Sequence, residues 1–113
     1  MSGLSTHVLD TARGRPAAGV PVRLERRQGA AWETLSTATT GADGRVGSLL
    51  PTGVPLAAGV YRLTFDLAAY FGARGEASFY PEASIVFEVR EPDEHHHVPL
   101  LVSPHGYTTY RGS

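Results

Sequence analysis

Val20-Pro21-Val22-Arg23-Leu24-Glu25-Arg26 sets the fold class. Val20, Val22 and Leu24 alternate with Arg23 and Glu25, and successive side chains of an extended strand point to opposite faces. The stretch therefore predicts a strand with one buried side. Val60-Tyr-Arg-Leu-Thr-Phe65 and Ser84-Ile-Val-Phe-Glu-Val-Arg90 carry the same period of two. Turn signals separate such segments: Gly14, Gly19, Gly29, Gly41-Ala-Asp-Gly44 and Pro51-Thr-Gly53. With 13 glycines and 8 prolines in 113 residues the chain must reverse often. Short strands about ten residues apart predict an all-β sandwich or barrel.

One segment departs from this period. Asp66-Leu-Ala-Ala-Tyr-Phe-Gly72 has a capping aspartate followed by apolar residues at 67, 70 and 71, the spacing of a helical face. It predicts a single short helix between two strands, ended by Gly72 or Gly75.

Hydrophobic residues make up 42% of the chain and charged residues 19%, the composition of an ordinary globular protein. The length suits a single domain over residues 1–113. A net charge of −1 with basic residues scattered along the chain leaves no footprint for nucleic acid or an anionic membrane. No run approaches the ~20 apolar residues of a membrane span. The absence of cysteine removes disulfides, thiolate metal sites and cysteine nucleophiles. Neither a secretory signal nor a Ser-Lys-Leu address is present, so a cytoplasmic location is expected.

Histidine is concentrated at His95-His96-His97, with His105 and His7 elsewhere. On a strand, His95 and His97 share a face and His96 takes the other. A His run can be a solvated strand end. His95 and His97 could instead supply two zinc ligands with His7 as a third, although no carboxylate or cysteine sits at a supporting spacing. Arg45 follows the Gly41–Gly44 turn. It is either a solvated arginine or a forked anchor for an anionic, carbonyl-rich ligand. A Gly-X-Ser-X-Gly elbow, a dinucleotide fingerprint and a phosphate loop are all missing.

Leu4-Ser-Thr-His-Val-Leu-Asp-Thr-Ala-Arg-Gly-Arg-Pro-Ala-Ala18 and His95-His-His-Val-Pro-Leu-Leu-Val-Ser-Pro-His-Gly-Tyr-Thr-Thr-Tyr-Arg-Gly-Ser113 resemble the two end signatures of the 5-hydroxyisourate hydrolases, a transthyretin-like family. Thr40-Gly-Ala-Asp-Gly-Arg45 and Phe79-Tyr-Pro81 agree in the middle. That middle pattern is shared with many sandwich modules, whereas the end motifs are specific. One departure is His96, where the family usually has tyrosine; on the opposite strand face it should leave the site unaffected.

The resemblance implies two packed four-stranded sheets with one short α-helix. It also implies a homotetramer built as a dimer of dimers, with the sites in a central channel. Carried over by position, His7, Arg45, His97, Tyr110 and Ser113 are the catalytic candidates. His7, Arg45, Tyr110, Arg111 and Gly112 are the candidates for holding substrate. The implied reaction is hydrolysis of 5-hydroxyisourate to 2-oxo-4-hydroxy-4-carboxy-5-ureidoimidazoline, without metal or organic cofactor. Such a ring opening needs a base for water, a stabiliser for the oxyanion and a proton donor for the leaving nitrogen. His7 and His97 are alternative bases, Arg45 the anion anchor, and Tyr110 a group that orients the ring or water. Two other readings are a non-enzymatic small-ligand carrier of the same fold and a structural sandwich module. A carrier of hydrophobic ligands would not require His7, Arg45, His97 and Tyr110.

Overall fold

A computed structural model describes residues 3–113; Met1 and Ser2 of the expected 1–113 domain lie outside the described residues. Nine strands and one helix follow in the order β1 (Gly3–Asp10), β2 (Arg15–Pro16), β3 (Pro21–Gln28), β4 (Ala31–Thr39), β5 (Arg45–Val46), β6 (Gly59–Asp66), α1 (Leu67–Gly72), β7 (Glu82–Val89), β8 (His95–Ser103) and β9 (Gly106–Thr109). They form two sheets; of the sandwich or barrel expected from the period of two, the chain builds the sandwich that the resemblance implies.

One sheet has four strands in the order β4-β3-β6-β7, all antiparallel. The other has five, not four: the path β2-β1-β8-β9 with β5 also paired to β1. The extra strand has a simple origin. β5 pairs Thr6 and His7 of β1 while β2 pairs Leu9 and Asp10. Two two-residue strands thus share one edge of β1, and the sheet remains four columns wide. At its centre β1 and β8 run parallel, with Ser5 opposite His97 and His7 opposite Pro99.

Alternation builds the core between the sheets. Val22 and Leu24 of β3, Leu63 and Phe65 of β6, Leu4 and Val8 of β1, and Leu100 and Val102 of β8 are all buried. Each such side chain contributes roughly 1.5–3 kcal/mol on leaving water. The helix forms as its sequence predicts. Asp66 caps it, its carboxylate accepting the Ala69 N–H at 2.9 Å, and Leu67, Tyr70 and Phe71 face inward. Gly72 is its last residue, and Gly75 turns the chain away with φ +72°. Asp10 at the end of β1 ties this helix to the sheet: its buried carboxylate accepts the Tyr70 hydroxyl at 2.7 Å.

Each sheet is open at both ends: β4 and β7 edge the first, and β9 on one side with β2 and β5 on the other edge the second. Among the described residues, no helix is long and apolar enough to cross a membrane.

Candidate active site

The inner residues of β1 and β8 build the core, so the residues between them must face outward. Ser5 and His7 from β1 and His95 and His97 from β8 occupy this outer face, brought side by side by the parallel register. β5 adds Arg45 directly opposite His7. The outer surface here is concave. A cavity of about 250 Å³ is lined by Ser5, Arg45, Val46, Gly47, His95, His97 and Ser113, with Thr6 at its floor. A larger depression of about 500 Å³ lies on the other sheet over Val22, Thr39 and Glu82 and holds no histidine.

A tight turn fixes Arg45. The Asp43 carboxylate accepts the Arg45 N–H at 3.0 Å, and the Gly41 N–H donates to the Arg45 carbonyl at 3.0 Å. Gly44 sits at φ +78° against β1, where a Cβ would collide with the Val8 carbonyl; only glycine satisfies both demands. His7 braces the same turn, its Nε2 lying 2.9 Å from the Asp43 carbonyl oxygen. A carbonyl only accepts, so His7 Nε2 carries a proton and donates it. His7 therefore stands at the rim with that nitrogen engaged, and is not among the residues lining the cavity.

His97 is half-buried, and its Nδ1 lies 2.8 Å from Ser5 Oγ. The same oxygen lies 2.7 Å from His95 Nε2. The ring of His97 also supports the last residues of the chain. The Gly112 N–H donates to the His97 carbonyl at 2.9 Å, and a Cβ on Gly112 would come within 2.6 Å of His97 Cδ2. Glycine at 112 thus lets the chain pass over the imidazole and brings Ser113 to the cavity. The pKa of His97 is held below the usual 6.5, first by burial and then by repulsion from Arg45, His7 and His95. Its neutral imidazole is the dominant form at neutral pH.

Arg45, His97 and Ser113 thus meet at one cavity, with His7 at its edge and Gly112 beneath. Tyr110 and Arg111 are not brought there. Both instead line a second depression, beside Ile85, Phe87 and Thr109, that His97 also borders; Tyr110 is exposed, and Arg111 reaches outward to Glu94 at 3.1 Å. His96 faces away, as expected, buried and hydrogen-bonded through Nδ1 to the Glu94 carbonyl at 3.0 Å. His105 lies in the turn between β8 and β9. The zinc arrangement of His7, His95 and His97 does not assemble. Both β8 histidines turn onto Ser5, and among the described residues no group of three His, Cys, Asp or Glu side chains is placed to hold a metal ion. Sequence reasoning missed Ser5. The one available signal was its position two residues before His7, on the same strand face.

A cleft of imidazole, guanidinium and hydroxyl groups thus lies on the outer face of one sheet of the sandwich. Residues 4–112 match the HIUase/Transthyretin family, and the chain belongs to it. It is 50% identical to the 5-hydroxyisourate hydrolase of Caulobacter vibrioides, covering 100% of both chains. Among solved structures it is similar to the 5-hydroxyisourate hydrolase of Klebsiella pneumoniae (TM-score 0.86, 42% identity, 99% of this chain and 100% of that one). It is also similar to sea bream transthyretin in complex with thyroxine (TM-score 0.88, 32% identity, 97% of this chain and 94% of that one). The backbone resembles hydrolase and hormone binder about equally, so function has to be argued from the site.

Proposed function

We infer that this chain is a hydrolase that opens 5-hydroxyisourate with water, yielding 2-oxo-4-hydroxy-4-carboxy-5-ureidoimidazoline. The observation that carries the reading is the half-buried His97 sharing a cavity with Arg45. The likeness to named hydrolases at 50% and 42% identity supports it. A carrier for an apolar ligand gains nothing from a base and a guanidinium at the cavity wall.

His97 is the base. Its Nδ1 is engaged by Ser5, which leaves Nε2 as the nitrogen that takes a proton from water. Arg45 holds the anionic substrate and offsets charge growing on the carbonyl oxygen, a contribution worth about a hundredfold or more in rate. His7 keeps the Arg45 turn in place through Nε2 and the Asp43 carbonyl. Ser113 supplies a hydroxyl at the same cavity. Tyr110, Arg111 and Gly112 complete the set by resemblance, Gly112 by carrying the chain across His97. None of these steps requires a metal or organic cofactor.

The reading includes a single domain over residues 1–113, a cytoplasmic location and assembly as a homotetramer of two dimers. The free edges of β7 and β9 support the assembly, because unpaired strand edges are natural templates for a second copy. The decisive test generates fresh 5-hydroxyisourate with urate oxidase and follows its ultraviolet decay with and without the protein. Accelerated decay is expected; decay at the spontaneous rate overturns the assignment.

A further inference from the structure

One hydroxyl lies between two imidazoles: Ser5 Oγ is 2.7 Å from His95 Nε2 and 2.8 Å from His97 Nδ1. A serine has a single proton to donate, so it can donate to one ring and must accept from the other. The three groups therefore form a directed chain with two possible senses. In one, His97 Nδ1–H donates to Ser5 and Ser5 donates to His95 Nε2, leaving His97 Nε2 bare. In the other, every proton moves one place and His97 Nε2 carries hydrogen, which makes it a donor rather than a base.

We propose that Ser5 is the positioning residue of this site, and that with His95 it holds His97 in the tautomer protonated at Nδ1 and bare at Nε2. The proposal rests on the reading of His97 as base. Three features favour this sense. His97 Nε2 has no hydrogen-bond partner and is reached by solvent, since no buried side-chain nitrogen or oxygen among the described residues lacks a partner, and His97 lines the cavity. Arg45 lines that cavity, and a neutral imidazole is lowest in energy with its lone pair turned toward a cation. His95 is exposed at the strand end, so water can accept a hydrogen bond from its remaining ring N–H. When His97 Nε2 takes a proton from the attacking water, the ring becomes an imidazolium that keeps its Nδ1–H on Ser5. Giving that Nε2 proton to the leaving nitrogen returns the ring to its starting tautomer. Each group ends with the protons it held at the start. The charged groups facing His97 are Arg45 from β5, His7 from β1 and His95 from β8 itself.

The test is a ¹H–¹⁵N long-range correlation spectrum of histidine-labelled protein at pH 7.5, which reports the protonated nitrogen of each ring without reference to activity. His97 should show Nδ1–H and bare Nε2 in the native chain. Ser5→Ala should shift it toward Nε2–H, the form a free neutral imidazole prefers, and lower kcat at least tenfold with KM changed less than twofold. Ser5→Thr retains the hydroxyl and should restore the native tautomer and most of the lost kcat. His95→Gln keeps an acceptor for Ser5 and should preserve the tautomer. Nε2–H in the native chain, or an unchanged His97 in a folded Ser5→Ala variant, overturns the proposal. Full turnover in His97→Asn would instead overturn His97 as base and leave the tautomer result standing.

Discussion

β1 and β8 present two faces of opposite chemistry from the same residues in succession. Toward the second sheet they offer Leu4, Val8, Leu100 and Val102, all completely buried. On the other side they offer Ser5, His7, His95 and His97, with Arg45 joined at the edge. The inner face is interchangeable with that of many sandwiches, because it need only fill space and exclude water. The outer face depends on register. A one-residue slip would turn His7, His95 and His97 inward and His96 outward, and the eight-residue parallel ladder of β1 on β8 prevents it. The core therefore fixes where the reactive groups stand, without touching the ligand.

That division can be broken from either side. The largest effect belongs to the inner face. Leu100→Ala removes a side chain with no exposure and should cost about 2–5 kcal/mol of stability, read from urea unfolding. Turnover of the fraction still folded should change little. A loss below 1 kcal/mol would mean that this layer is not the core.

Arg45→Glu attacks the outer face alone. Arg45 is exposed and its backbone, not its guanidinium, is held by the turn. Turnover of 5-hydroxyisourate should fall about a hundredfold or more, with the unfolding midpoint close to that of the native chain. Near-normal turnover in a folded variant would remove Arg45 from the site. Gly112→Ala is milder. Its Cβ meets His97 Cδ2 at 2.6 Å and Pro99 Cγ at 3.1 Å, so either the ring or the terminal segment must shift. A misplacement of this kind should lower kcat by roughly tenfold, and a fully active Gly112→Ala would show that the segment passes His97 without constraint.

The same contrast explains what could be read in advance. β3, β6 and β7 were legible because each has one wet and one dry face, and the helix because Asp66 and its apolar spacing coincide. β4 was not, since its half-exposed residues at the sheet edge dilute the alternation. β2 and β5 are two residues each, too short for any period; hence a sheet expected to have four strands has five. His7, His97 and Ser113 were singled out through the end motifs, and Arg45 through the middle stretch Thr40–Arg45. Ser5 was not, because its contacts join residues 90 and 92 positions apart, a relation that only the parallel register supplies. Tyr110 and Arg111 lie across His97 from the Arg45 cavity, in a second depression beside β7, before Gly112 returns to His97.

The smallest effect concerns protons on the outer face. His97 has its pKa lowered in the folded chain, with burial the main cause and Arg45 the next. Below the unfolded value of about 6.5 the unfolded chain binds more protons at this position than the folded one. The contribution of His97 to stability is therefore complete above that value and is lost as pH falls through 6.5 toward the folded pKa. Comparing urea midpoints of the native chain and His97→Asn from pH 8 to 5 isolates it: the native chain should lose ground relative to the variant only on the acid side. kcat/KM should fall over the same interval, with its midpoint below 6.5. Salt divides the causes, since it screens Arg45, His7 and His95 but leaves burial untouched. Raising the ionic strength should move the midpoint part of the way back toward 6.5 and no further. A midpoint above 6.5 at low salt would mean that some group other than His97 sets the acid limb.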